Sequence, residues 1–383
     1  VGPFPAPEYE GRAVHLLVDS HSDLAAALAT IDAPVVGLDV ERSAAPRYWK
    51  PAALIQVGTA EQAVLVDSHR LGPTPMLGDF LAGRRVVAHA ATNDVESLDW
   101  AGVVLEELDD TSIAAALLGL PTGLDPLLRD LLDVALSPDK DKYQRANWER
   151  RPLPEGMAAY AAGDVLHLPA LMALLDHQLE EAGRVGWYDQ ERHHMLASTR
   201  AATRAWEDTK GAGRLDAAQR AVLAALWEAR EELARRRDTA PQTLLRDETL
   251  VDLAADPPSG SRDLQRRNRR RGQPDDDAAV VLFDALDEGM SAPPRPRPAT
   301  SSSTAGTSTD RERHAAMRAA RATLATELGM DAGVLCPSRV LWGPIHANAS
   351  SRAELEAALD LRPWQVELLG GVLWDAWESV DVD

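Results

Sequence analysis

The sequence predicts a mixed α/β domain, its sheet flanked by helices, followed by two small all-helical domains. Three observations predict it. Short apolar runs with strand character occupy the N-terminal part, and helical periods replace them later in the chain. One segment near the C-terminus, SAPPRPRPATSSSTAGTST at Ser291–Thr309, has no apolar residue larger than Ala apart from Pro, so it reads as a linker. The length of 383 residues, 45% of them apolar, suits two or three domains of roughly 150 residues with real cores.

The elements follow in order. Val14 to Val18 and Val35 to Val40 read as strands. Between them Ser20 to Ala29 reads as a helix, with Ser20 as N-cap and Asp23 in the capping-box position. Ala53 to Val57 and Ala63 to Val66, with Gly58 between them, read as a hairpin, and Val86 to Ala88 as a further strand. Helical periods cover roughly 93–100, 111–119, 124–134 and 154–181. Small residues at Lys210-Gly211-Ala212-Gly213 mark a softer boundary. Beyond it, Asp216 to Arg237, Asp247 to Leu253 and Ala278 to Leu286 are helical. In 311–383, Trp364, Trp374 and Trp377 read as core residues rather than base-stacking platforms. The expected boundaries are 1–212, 213–290, a linker at 291–310, and 311–383. Nothing across that linker is expected to dock the last domain on the first.

Charge excludes some functions. The net charge is −20, and residues 1–213 alone carry −14, so general steering toward a polyanion is absent. Any nucleic-acid contact must use local patches or metal ions. No uninterrupted apolar run approaches the ~18 residues of a membrane span, so no membrane partner is expected. The N-terminus lacks a basic n-region and an apolar h-region, so no secretion signal is expected. A lone cysteine, Cys336, gives neither an intramolecular disulfide nor a cysteine zinc cage, and fits a reducing cytoplasm.

Three stretches carry carboxylates where a core would not want them. Asp39 and Glu41 end an apolar run and, two apart on a strand, share a face. Asp94 follows the strand end Ala88-His89 and opens a helix. Tyr160 and Asp164 lie one helical turn apart. Taken singly, each has a plainer reading. Asp-x-Glu fits an exposed strand end, Asp94 a helix cap, and Tyr160 a core tyrosine. His89 fits packing or hydrogen bonding better than ligation. Together, four acids on strand ends and facing helices can hold two hard cations, Mg²⁺ or Mn²⁺, which prefer oxygen ligands.

These motifs resemble those of ribonuclease D, a family of the DEDD 3′–5′ exonucleases, over nearly the whole chain. Leu38-Asp39-Val40-Glu41-Arg42 resembles the first exonuclease motif, His89 to Leu98 the second, and Tyr160 to Asp164 the third. Trp148-Glu149-Arg150-Arg151-Pro152-Leu153 resembles a family stretch, with Asn147 standing where the family usually has Asp. The resemblance implies a ribonuclease H-like exonuclease fold. It implies metal ligation by Asp39, Glu41, Asp94 and Asp164, and water positioning by Tyr160. Ala159 stands where the histidine subclass needs His, which indicates the tyrosine subclass. Residues 213–290 resemble an HRDC domain, and 311–383 a second, more diverged one. Arg235, Arg236 and Arg237, with Arg266, Arg267, Arg269 and Arg270, could grip phosphates, or form a solvated face balanced by Asp275 to Asp277.

The implied activity is metal-dependent 3′–5′ hydrolysis of single-stranded RNA ends, with tRNA precursors as the family-level substrate, by a monomer. The rivals are a DNA exonuclease and a catalytically silent nucleic-acid-binding scaffold.

Overall fold

A computed structural model describes residues 14–43, 46–135, 140–201, 204–258, 260, 263, 275–296 and 307–380. Their positions divide into two compact units. The described residues of Val1–Ala44, Pro51–Ala201 and Thr307–Asp383 form one, and those of Ala45–Lys50 and Ala202–Gly306 the other.

The first unit is built on strands β1 (Val14–Val18), β2 (Val35–Arg42), β3 (Ala52–Gly58), β4 (Gln62–Val66), β5 (Arg85–Ala88) and β6 (Asp109–Asp110). Among the described residues they form one sheet in the order β1-β4-β3-β2-β5-β6. The hairpin at Gly58 forms as the sequence predicts, with β3 antiparallel to both β2 and β4. The remaining pairs are parallel. Ser20 caps the helix His21–Leu28, accepting from the Asp23 N–H at 3.1 Å. β6 carries no strand signal; two acids fall there because Val87 and Ala88 of β5 pair with Asp109 and Asp110.

Alternation along β2 decides the two faces. Val36, Leu38 and Val40 enter one core with the helices His21–Leu28, Pro75–Leu81 and Asp94–Trp100. Gly37, Asp39 and Glu41 therefore face the other side, where the helix Glu155–Leu166 lies. The predicted helix over 154–181 is two helices, Glu155–Leu166 and Leu168–Glu181, separated at His167, with Pro169 in the first turn of the second. By length and hydropathy the span Glu155–Glu181 could cross a membrane, but 56% of its apolar window is buried, as in a core helix.

The C-terminal helices correct one expectation. They share a continuous hydrophobic core with the helices that pack on the sheet, and Trp364 and Trp377 are buried in it. Trp187 stacks on Trp364 with ring centroids 4.7 Å apart. Glu191 accepts from the Trp364 indole at 2.8 Å and from Arg362 at 2.7 Å. Gly119 approaches Gly329 so closely that a Cβ would lie 1.9 Å from its carbonyl oxygen. Linker composition says nothing about what the flanking helices bury, and apolar faces on both sides drive the docking.

The second unit centres on the helix Ala217–Arg236, which opens with a capping box between Asp216 and Gln219. It packs against Asp247–Ala255 and Asp276–Ser291 through Leu223, Leu226, Leu250, Leu282 and Leu286. The first linker residues are bound to this unit: Arg295 donates its N–H to the Ala217 carbonyl at 2.8 Å.

Candidate metal centre

The helix Glu155–Leu166 presses on the sheet where β2 and β3 have no side chains. Gly37 and Gly58 are cross-strand partners. A Cβ on Gly37 would lie 2.3 Å from the Val165 carbonyl oxygen, and one on Gly58 2.5 Å from Val165 Cγ2. Removing both methyl groups lets the helix backbone reach the sheet at Val165, and so delivers Asp164 to the strand that carries Asp39 and Glu41.

The result is a carboxylate cluster. Single oxygens of Asp39, Glu41 and Asp164 lie within 4.8 Å of one another. Asp94, at the N-terminus of its helix, sits beside this group, and after burial the Asp39 charge is the largest influence on its carboxyl. All four side chains are half-buried.

Their protonation reflects crowding. Burial pushes Glu41 up to about 10, and the charges of Asp39, Asp164 and Asp94 add to it. Burial, then Asp39, pushes Asp94 up to about 8, with Arg42 opposing. Asp39 rises to about 6 by burial, opposed by a hydrogen bond from the Val40 backbone. Carboxylates held this close strongly disfavour full ionisation unless positive charge joins them. The donor set is all oxygen, which fits a hard divalent cation.

Tyr160 unites two readings that the sequence left as alternatives. Its ring is 6% exposed, with Tyr143 5.6 Å and Trp148 6.2 Å away between centroids. Its hydroxyl nevertheless faces the acids: burial first, then the Asp164 charge, raises its pKa far above the usual phenol range. It therefore stays protonated and acts as a donor.

Arg151 holds the wall behind that ring, a role sequence reasoning missed. Its guanidinium pairs with the buried Asp67 and donates to the carbonyls of Trp148 at 2.7 Å and Ala53 at 3.2 Å. This ties the Trp148 segment to β3 and the end of β4. Asn147 Oδ1 accepts from the Glu149 N–H at 3.1 Å, a turn contact an aspartate also makes. His89 pairs through Nδ1 with Thr111 Oγ1 at 2.8 Å, a hydrogen-bonding role, as its sequence context suggests.

The described arginine candidates belong to the second unit. Arg235 and Arg236 pair with Glu232, and Arg237 with Asp275, all on exposed surface of the second unit. Arg266, Arg267, Arg269 and Arg270 lie outside the described residues.

Comparison with known proteins agrees with this architecture. Residues 17–180 match the 3′–5′ exonuclease family and residues 219–269 the HRDC domain. Ribonuclease D of Pseudomonas paraeruginosa is 29% identical over 369 residues, covering 90% of this chain and 93% of that protein. Ribonuclease D of Granulibacter bethesdensis is 30% identical over 311 residues, covering 77% and 75%. The crystal structure of Escherichia coli RNase D superposes with a TM-score of 0.80 over 96% of this chain and 100% of that one, at 22% identity, a match of fold.

Proposed function

The chain belongs to the ribonuclease D family, and from that premise we propose that it trims single-stranded RNA 3′ ends, tRNA precursors among them, to nucleoside 5′-monophosphates. The observation that carries the proposal is the convergence of Asp39, Glu41 and Asp164 within 4.8 Å, with Asp94 alongside.

These four carboxylates would hold two Mg²⁺ or Mn²⁺ ions. Bound as a pair about 4 Å apart, such ions stabilise both the attacking and the leaving oxygen of an in-line phosphoryl displacement. The protein's own part is placement. Asp39 and Glu41 present oxygens from one strand face. The hydroxyl of Tyr160, whose pKa Asp164 raises, would help to orient that carboxylate. The same hydroxyl is a donor beside the cluster and would orient the attacking water without acting as a base.

Arg235, Arg236 and Arg237 would take phosphates of the RNA body. Their acidic partners, Glu232 and Asp275, are exposed, and such solvent-screened pairs contribute little, so phosphate can replace them at little cost. We place the enzyme in the cytoplasm, acting as a monomer.

The test is a 5′-labelled single-stranded RNA, with a matched DNA, in a Mg²⁺ titration. Stepwise shortening from the 3′ end with mononucleotide release, abolished by EDTA and by Asp39→Asn, is expected. Internal cleavage, or undiminished hydrolysis in EDTA, would sink the assignment. A preference for the DNA strand would overturn the RNA substrate alone.

A further inference from the structure

Between β5 and the helix carrying Asp94, the chain turns at Ala90, which has φ 56° and ψ 41°. A residue with a Cβ is uncommon in this left-handed region and strained there, so something must hold it. That something is Asp110, which is 1% exposed. Its Oδ1 accepts from the Ala90 N–H at 3.0 Å, and its Oδ2 from the Ala91 N–H at 2.9 Å. The same Oδ1 caps the next helix, accepting from Ser112 N–H at 2.8 Å and Ser112 Oγ at 2.7 Å.

Asp110 is itself held. Its N–H donates to the Tyr188 hydroxyl at 2.9 Å, and that hydroxyl donates to Asp109 at 3.0 Å. Thr111 Oγ1 donates to the Ala88 carbonyl at 3.2 Å. The turn and the end of β5 are thus held by the consecutive residues Asp110 and Thr111, and a single 3₁₀ turn, Ala91–Asn93, separates the turn from Asp94.

We propose that Asp110 is a positioning residue for the nuclease reaction. It touches neither substrate nor metal. By clamping the Ala90–Ala91 turn it sets where the Asp94 carboxylate stands against Asp39, and hence the affinity and placement of the ion Asp94 helps to hold. The proposal rests on the reading of Asp94 as a ligand. The plainer account, that Asp110 only caps the helix Thr111–Leu117, predicts a different pattern.

Asp110→Asn separates the two. Its amide keeps one acceptor oxygen, which serves the cap and the Ala90 N–H, but presents an NH₂ to the Ala91 N–H, so the cap survives and the clamp opens at Ala91. Ser112→Ala removes one bond to the same carboxylate and leaves the turn alone. Full-length variants are assayed well below their melting temperatures on labelled RNA, with the Mg²⁺ concentration for half-maximal rate as the principal readout. For Asp110→Asn we expect that midpoint to rise 10- to 100-fold, the range found when groups supporting metal ligands are removed. RNA KM at saturating metal should stay within about twofold. Ser112→Ala should keep the wild-type midpoint.

A wild-type midpoint and rate in Asp110→Asn, with only the melting temperature lowered, overturns the proposal. So does a Ser112→Ala midpoint shifted as far as that of Asp110→Asn. Should Asp110→Asn fold poorly, Tyr188→Phe, which loosens the clamp one bond further out, must show the same shift at smaller size. Asp94→Asn runs in parallel: if it keeps the wild-type midpoint, the ligand assignment itself has failed. If it is impaired while Asp110→Asn is not, only the positioning role has.

Discussion

Gly37→Ala is a one-carbon change whose consequence is read directly from the packing. The new Cβ would stand 2.3 Å from the Val165 carbonyl oxygen, 3.1 Å from its carbon and 3.2 Å from Leu168 Cβ. The obstructing atom is helix backbone, which cannot swing aside as a side-chain tip can. Restoring an ordinary contact requires the helix Glu155–Leu166 to retreat by roughly 1 Å, because close-packed interiors have no slack to absorb the methyl group. Asp164 precedes Val165 and must move with it. Overpacking of this kind costs roughly 1–3 kcal/mol of stability, and a misplacement of ~1 Å in a catalytic constellation costs about 10²-fold in rate. The assay is single-turnover hydrolysis of labelled RNA at saturating Mg²⁺, with a thermal melt of the same preparation. Gly186→Ala is the control, since a Cβ there meets nothing within 4 Å. A Gly37→Ala enzyme with wild-type rate and metal requirement would refute the idea that the glycine pair sets the height of Asp164.

Tyr160→Phe keeps the ring against Tyr143 and Trp148 and removes the hydroxyl that Asp164 influences. Single-turnover rate should fall by roughly 10²-fold, with at most ~1 kcal/mol of stability lost in the melt. An unimpaired rate would remove the hydroxyl from the mechanism. Without metal, Glu41 at about 10 and Asp94 at about 8 hold protons that the unfolded chain releases near 4.5 and 3.8. The native state therefore binds more protons, and their contribution to stability, present at low pH, is lost as pH rises through those folded values. Melts in EDTA should thus decline from pH 6 to pH 9 relative to melts in Mg²⁺, where the cation replaces the protons. Parallel pH profiles with and without metal would contradict this. Deleting residues 307–383 should yield a poorly folded nuclease, because Trp187 and its neighbours lose Trp364 and the shared core. A truncated chain that melts like the full one would show the docking to be dispensable.

The sequence by itself determined the strands up to Ala88, the hairpin at Gly58, the Ser20 cap and the helix opened by Asp216, because alternation, turn residues and caps are local signals. It also marked Asp39, Glu41, Asp94, Tyr160 and Asp164, since acids closing apolar runs are conspicuous where charge is costly. What it could not contain is distance. Only the fold brings Asp164 beside β2, through two glycines whose role depends on a helix more than a hundred residues away in the chain. Asp110 looks like one more acid until β6 pairs with β5 and aims it at Ala90. Arg151 belongs to a legible stretch, but its partner Asp67 is found only in three dimensions. The linker hid the docking of the C-terminal helices because composition reports whether a segment can bury itself, not what its flanks bury together. Local chemistry is written in the order of residues, whereas positioning arises from contacts between residues far apart in that order, and tertiary packing decides those.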